Sequence, residues 1–250
     1  MLYPCGSSKP PKIEHGSPAN KGQASLITGA SSGLGRELSI LFSNIGHVIL
    51  SGRNKVELEK TASLCKDPHN TTCIYGDLHD SAIQARLAYT GDLYGIRYLI
   101  LCAGIYQRAP LIESRILLPG PRHSIEQMFE TNVLGHIQLI ESLHNVLIRG
   151  AVVNINSLSG KSFSPSEAVY SATKHAMAGF LKAYRIEARH RLTRVLDVFP
   201  GAIQTPMLAG QTNYEKAMLP VEVAKTIFTV ATLEYPSLQI EELHLGRFIL

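Results

Sequence analysis

Apolar residues fall into two alternating textures along this chain. From residue 23 on, short runs rich in Val, Ile and Leu, such as QASLIT at 23–28, HVILS at 47–51 and AVVNIN at 151–156, alternate with longer amphipathic stretches. Short apolar runs suit strands buried on both faces, and the amphipathic stretches suit helices that cover them. Strands are predicted near 23–28, 47–51, 71–75, 97–102, 151–156, 194–199 and 238–244, with helices filling the intervals. The first helix is expected to run from the glycines at 29–35 to Gly46, and the two longest to lie near 124–148 and 166–188. Ser164 or Ser166, beside Pro165, is the expected start of the second of these. Strictly alternating elements of this kind predict an α/β fold, a doubly wound seven-stranded parallel sheet with helices on both faces.

Two segments break the alternation. IYQRAPLIESRILLPGPRHS at 105–124 is long and carries Pro-Gly-Pro, and TPMLAGQTNYEKAMLP at 205–220 mixes Met, Tyr and Leu with Gly. Long loops in compact domains are usually functional, and both of these belong beyond the carboxyl ends of strands, where ligands bind in open parallel sheets. The second is the expected lid. Residues 1–22 contain four prolines and no apolar block, and are expected to form a disordered tail before a single catalytic domain over 23–250.

Composition narrows the class. With 45% apolar and 18% charged residues, the chain has the makings of a packed core and holds no apolar stretch long enough to span a membrane. The net charge of +4 gives no indication of nucleic-acid binding. The densest basic run, RIEARHRLTR at 185–194, reads as the solvated end of a helix, its cations complementing the dipole, or alternatively as a docking patch for an acidic partner. Cys5, Cys65, Cys73 and Cys102 show no Cys-x-x-Cys pairing, and the ten histidines form no His-Glu-x-x-His pattern. Neither a metal site nor a disulfide framework is therefore expected, and a cytoplasmic, reducing location fits best.

Candidate chemistry begins at TGASSGLG, which follows one predicted strand and opens a predicted helix. Glycines there let the backbone turn tightly and approach a pyrophosphate, whose charge the helix N-terminus would meet. Thr28, Gly29, Ser31, Ser32, Gly33, Leu34 and Gly35 are the resulting cofactor candidates, in a Rossmann-type arrangement. The second strand ends Ser51-Gly52-Arg53, with no acid to bind ribose hydroxyls. Arg53 therefore favours the 2′-phosphate of NADP over NAD, unless it is simply a solvated residue opening the next helix. Asp77, after the third strand, is placed either to accept from an adenine amino group or to cap a helix.

Further along, Tyr170 and Lys174 are four residues apart, one helical turn, with Ser157 thirteen residues before Tyr170 at a strand end. An ammonium beside a phenol favours the phenolate, so Lys174 is expected to lower the Tyr170 pKa toward working pH. Together with the glycine loop, the pair points to hydride transfer to or from a carbonyl.

At this point the chain resembles the short-chain dehydrogenase/reductase family in its compact branch. The resemblance is carried by TGASSGLG, CAG at 102–104, Asn132 in TNVLG, Ser157 in NINSLSG, YSATK at 170–174 and PGAIQT at 200–205. It implies three helices on each side of the seven-stranded sheet. It also implies Tyr170 as general acid or base, Lys174 as the residue that binds the nicotinamide ribose, and Ser157 as a hydrogen-bond partner of the substrate oxygen. Asn132 would hold a water linking Lys174 to solvent. Pro200, Gly201, Ile203 and Thr205 would cradle the nicotinamide, with Ala103 and Gly104 nearby. A homodimer or homotetramer built on the two long helices is implied as well. The family's usual Asn-Asn-Ala-Gly is here Leu101-Cys102-Ala103-Gly104, which predicts a looser turn.

Tyr106, Leu158, Phe163, Met207 and Leu208 are the expected pocket lining, which favours a mostly apolar carbonyl or alcohol substrate. Arg108 is the charged exception, able to meet a substrate carboxylate or to lie in solvent. Two rivals remain at this level: an NADP-sensing regulator without turnover, which would not need the tyrosine and lysine, and a sugar-nucleotide epimerase, whose chains are longer.

Overall fold

The computed structural model describes residues 23–108, 123–163, 165–211, 214–234 and 238–247. The expected tail at 1–22 and residues 109–122 of the first irregular segment lie outside them. Seven strands, β1 (Ala24–Thr28), β2 (Val48–Gly52), β3 (Thr71–Tyr75), β4 (Ile96–Leu101), β5 (Ala151–Ile155), β6 (Arg194–Pro200) and β7 (Glu242–Leu245), form one sheet in the order β3-β2-β1-β4-β5-β6-β7. Every pairing is parallel. The order reverses between β1 and β4, which opens a crevice at their carboxyl ends.

Helices cover both faces. On one lie α1 (Gly33–Phe42), α2 (Lys55–Leu64) and, near the carboxyl end of the chain, α7 (Pro220–Thr232). On the other lie α3 (Ser81–Tyr94), α6 (Ala168–Ala188) and a helical stretch made of α4 (Ile125–Phe129), a π-helical turn at Glu130–Leu134 and α5 (Gly135–Leu143). Alternate residues of each strand serve the two cores: Leu26, Leu99 and Val152 pack with α3, α5 and α6, while Ile27, Ile100 and Val153 pack with α1 and α7. Burial of these aliphatic side chains, each worth about 1.5–3 kcal/mol, clamps the sheet between its helical layers.

Several boundaries differ from expectation, each for a local reason. α1 stops at Phe42 because the N–H groups of Asn44 and Ile45 turn back to Leu41 and Phe42, and Gly46 passes so close to β1 that a Cβ would meet the Gln23 carbonyl at 2.3 Å. The helix after the first loop begins under a capping box of Ser124 and Gln127 but ends at Leu143, five residues early. α6 starts at Ala168; Ser166 has a left-handed φ of 69°, and Ser164 lies outside the described residues. β7 begins at Glu242, not 238, because the Val195 carbonyl that would extend the ladder accepts from the Arg185 and Gln239 side chains instead.

The basic run at 185–194 is divided: Arg189 and His190 are exposed at the end of α6, as expected of a solvated helix end, while Arg185 and Arg194 turn inward. Arg185 is buried and donates to the carbonyls of Val195 and Glu241, while Arg194 donates to those of Ala231 and Leu233. These guanidinium groups tie helix ends to the sheet. Among the described residues, no helix is long and apolar enough to cross a membrane.

Candidate active site

A cleft of ≈ 770 Å³ runs along the carboxyl ends of the strands, and it is lined by every residue expected to hold a cofactor, from Thr28 to Thr205. At its centre the glycine loop passes from β1 into α1. Ser32, the N-cap, makes no side-chain cap bond, and the first turn of α1 carries no acidic residue. Its amide dipoles therefore face the cleft uncompensated, as an anion site requires. Gly35 is demanded by the fold: a Cβ there would stand 2.2 Å from the Gly29 carbonyl oxygen. Because both partners are backbone, Gly35→Ala should cost about 1–3 kcal/mol and weaken dinucleotide binding, which thermal denaturation and NADPH titration would register.

The loop is braced from behind by residues that no motif announced. Arg36 donates to the Ser31 carbonyl at 2.5 Å, to Thr61 Oγ1 at 3.0 Å and to the Glu57 carboxylate, and Thr61 Oγ1 in turn donates to the Ala30 carbonyl. Thr28 Oγ1 accepts from the N–H groups of Cys102 and Ala103, both at 3.0 Å. Those two bonds hold the turn after β4 without the amide side chains it lacks, so the looser turn expected there does not appear. At the other end of the cleft, Arg53 is exposed, 4.0 Å from Asp77, which also pairs with His79 at 3.0 Å. The cap of α3 is Asp80, which leaves the Asp77 carboxylate at the cleft.

Opposite the glycine loop, Ser157 follows β5 and Tyr170 stands in the first turn of α6; both line the cleft, with the Ser157 hydroxyl near enough to lower the phenol's pKa. Lys174 lies one turn further on, over the Tyr170 ring at 5.6 Å from its centroid, and donates to the Ile155 carbonyl at 2.9 Å. The phenol's pKa is pushed up, contrary to expectation. Burial is the main cause, the charge of Glu167 and the nearby Tyr106 add to it, and the Ser157 hydroxyl opposes it. Lys174 is held by the Ile155 carbonyl, and burial brings its own pKa down to about 8.

Beneath Lys174 is a buried network that the sequence analysis missed. The Asp197 carboxylate accepts from Asn154 Nδ2 at 2.8 Å and Asn156 Nδ2 at 3.0 Å. Asn156 also donates to the Lys174 carbonyl and accepts from the Ser157 N–H, so one side chain joins all three. Burial raises the Asp197 pKa against these amides and Lys174, while its charge opposes the fall at Lys174.

Two expected residues do not reach the cleft. Asn132 sits one layer behind it; its Oδ1 accepts from the Ile105 N–H, and its Nδ2 donates to the Ile105 carbonyl and Thr173. The side chain thus fixes the loop after Gly104 and makes no contact with Lys174. Phe163 is 84% exposed and stacks on His175 outside the pocket. Tyr106, Arg108, Leu158, Met207 and Leu208 do line the cleft, and Tyr106 meets Tyr170 edge to face at 4.9 Å. The expected lid is anchored at its base by a bridge between Ile203 and Met218.

Comparison with known proteins agrees with this geometry. The family model described as "short chain dehydrogenase" matches residues 23–216. Carbonyl reductase family member 4 of Danio rerio is 30% identical over 189 residues, covering 74% of this chain and 77% of that protein. A solved short chain dehydrogenase/reductase family protein superposes with a TM-score of 0.78 at 26% identity, over 90% of this chain and 96% of the other. The closed form of serine dehydrogenase complexed with NADP+ gives a TM-score of 0.76 at 22% identity, over 89% and 94%.

Proposed function

Because the chain belongs to the short-chain dehydrogenase/reductase family and is an NAD(P)-dependent oxidoreductase of that kind, we propose that it transfers a hydride between NADP and a carbonyl or secondary alcohol, with Tyr170 as proton donor or acceptor. The observation that carries this reading is the meeting of Ser157, Tyr170 and Lys174 in the same cleft as the glycine loop, on the side opposite it. The nicotinamide, when bound, supplies or accepts the hydride. Pro200, Gly201, Ile203 and Thr205, which follow β6 along the cleft wall, would hold its ring, and the amides opening α1 would hold the pyrophosphate.

The protein's own work is placement and proton handling. Tyr170, kept as a phenol by burial, is primed to donate to a developing alkoxide, so carbonyl reduction is the favoured direction near neutral pH. Ser157 would share the substrate oxygen. Lys174 as an ammonium would offset the charge left on the phenol, an effect strengthened by its dry surroundings. Asn132 acts by fixing the Ile105 loop that walls the site.

NADP is favoured over NAD because Arg53 borders the cleft where the adenosine ribose would lie, with no acid at the end of β2. Arg53→Asp should weaken NADPH binding about tenfold or more, by loss of a charge-assisted contact, and leave NADH less affected, as titration of both would show. A homodimer or homotetramer through α5 and α6 is part of the proposal; Ile186 on α6 is 63% exposed, and sedimentation would measure the assembly. NADPH consumption by purified protein against ketones, 3-oxo acids and quinones tests the activity itself, and tight NADPH binding without consumption of any of them would overturn it.

A further inference from the structure

We propose that Glu167 gives this enzyme its substrate class: the ketone or alcohol it acts on carries an ammonium group close to the reacting carbon, and Glu167 receives that group. The inference rests on the hydride-transfer reading above. Glu167 is the N-cap of α6 and lines the cleft three residues before Tyr170. A carboxylate at an N-cap ordinarily accepts from the first helical amides. Here it makes no cap bond. Its Oε1 accepts from the Tyr106 hydroxyl at 2.7 Å and its Oε2 from the Ser159 hydroxyl at 3.0 Å. Both donors are neutral, and a carboxylate offers about four acceptor positions, so the charge is aimed and half its acceptor capacity is unused.

No lysine, arginine or histidine among the described residues pairs with Glu167 within 4 Å. The cleft therefore carries a negative charge, fixed by two hydrogen bonds, beside the group that handles the proton. That charge is felt there: burial chiefly pushes the Tyr106 phenol to about 12, and Glu167 adds to it, as it does to the upward shift at Tyr170. A substrate carboxylate would meet repulsion and a neutral group would leave the charge uncompensated. An ammonium would satisfy it and at the same time ease proton loss from Tyr170. Arg108, the cationic residue nearby, is exposed on the loop beyond Tyr106; its charge opposes that of Glu167 at the Tyr106 phenol, but it makes no ion pair with Glu167, which keeps two neutral donors.

The test compares three secondary alcohols that share one skeleton: 1-aminopropan-2-ol, butan-2-ol and 3-hydroxybutyrate. In each oxidation Tyr170 first releases its own proton to solvent; the carbinol hydrogen then passes as hydride to NADP+ and the hydroxyl proton to the Tyr170 phenolate, so NADPH formation reports turnover. A charge-assisted contact predicts kcat/KM for the amino alcohol about tenfold or more above that for butan-2-ol, with 3-hydroxybutyrate the poorest. In Glu167→Gln, which keeps the shape and an acceptor for Tyr106, the ratio of amino alcohol to butan-2-ol should fall toward one; in Glu167→Lys, 3-hydroxybutyrate should become the better substrate of the charged pair. Equal use of butan-2-ol by the unaltered protein, or a ratio that survives in Glu167→Gln, would overturn the role of Glu167 while leaving hydride transfer standing. Failure of all three alcohols and of the neutral ketones would overturn both.

Discussion

Replacing Tyr170 by Phe should lower kcat for carbonyl reduction by about a hundredfold to ten-thousandfold, the range general acid catalysis supplies, while NADPH affinity stays close to that of the unaltered protein. The substitution removes one oxygen from a side chain whose ring is buried against Tyr106 and lies under Lys174, so the packing of α6 is untouched. The lost oxygen is the one beside Ser157 in the cleft. Steady-state rates and fluorescence titration of NADPH would separate the two quantities. Full activity in the variant would mean that another group donates the proton.

Asp197→Asn should produce the second large effect, on stability and on pH dependence together. The carboxylate is buried, receives two side-chain amides and faces the buried ammonium of Lys174. Its loss leaves at least one buried amide without its acceptor and removes the charge that opposes desolvation of Lys174, at a cost of about 1–3 kcal/mol, which urea unfolding would measure. The sign of the pH effect follows from the charges. Lys174 already titrates low, at about 8, because burial disfavours its cation, and Asp197 opposes that fall. In the unaltered protein, reduction should therefore decline as pH rises through about 8 and the ammonium is lost. Without Asp197 the ammonium is lost at lower pH, so the alkaline limb of kcat should move down by about one unit. A purely structural role would lower the whole profile without moving the limb.

The strands and the glycine loop were legible because each is a local pattern. Apolar runs at 71–75 and 151–156 met no competing side chain, and β3 and β5 sit within a residue of the predicted bounds. β7 was misjudged because its start depends on Arg185 and Gln239, whose reach to Val195 leaves no trace in periodicity. The catalytic spacing was readable, but the direction of the Tyr170 shift was not: desolvation depends on what covers the ring, and Tyr106 arrives from 64 residues away in sequence. Asp197 and Asn156 did leave a signal, as polar residues inside apolar strand runs that must find partners when buried. Glu167 left none, since a single acid before a helix reads as a cap until the structure turns it toward the cleft.

The most direct test of hydride transfer is the fate of an isotope. Turnover of a reducible ketone with NADPH carrying deuterium at both C4 positions of the nicotinamide should yield an alcohol with one deuterium at the carbinol carbon and a primary isotope effect on the rate. An alcohol without deuterium, or NADPH that binds and is never consumed across the carbonyl panel, would contradict the assignment of this cleft to hydride transfer.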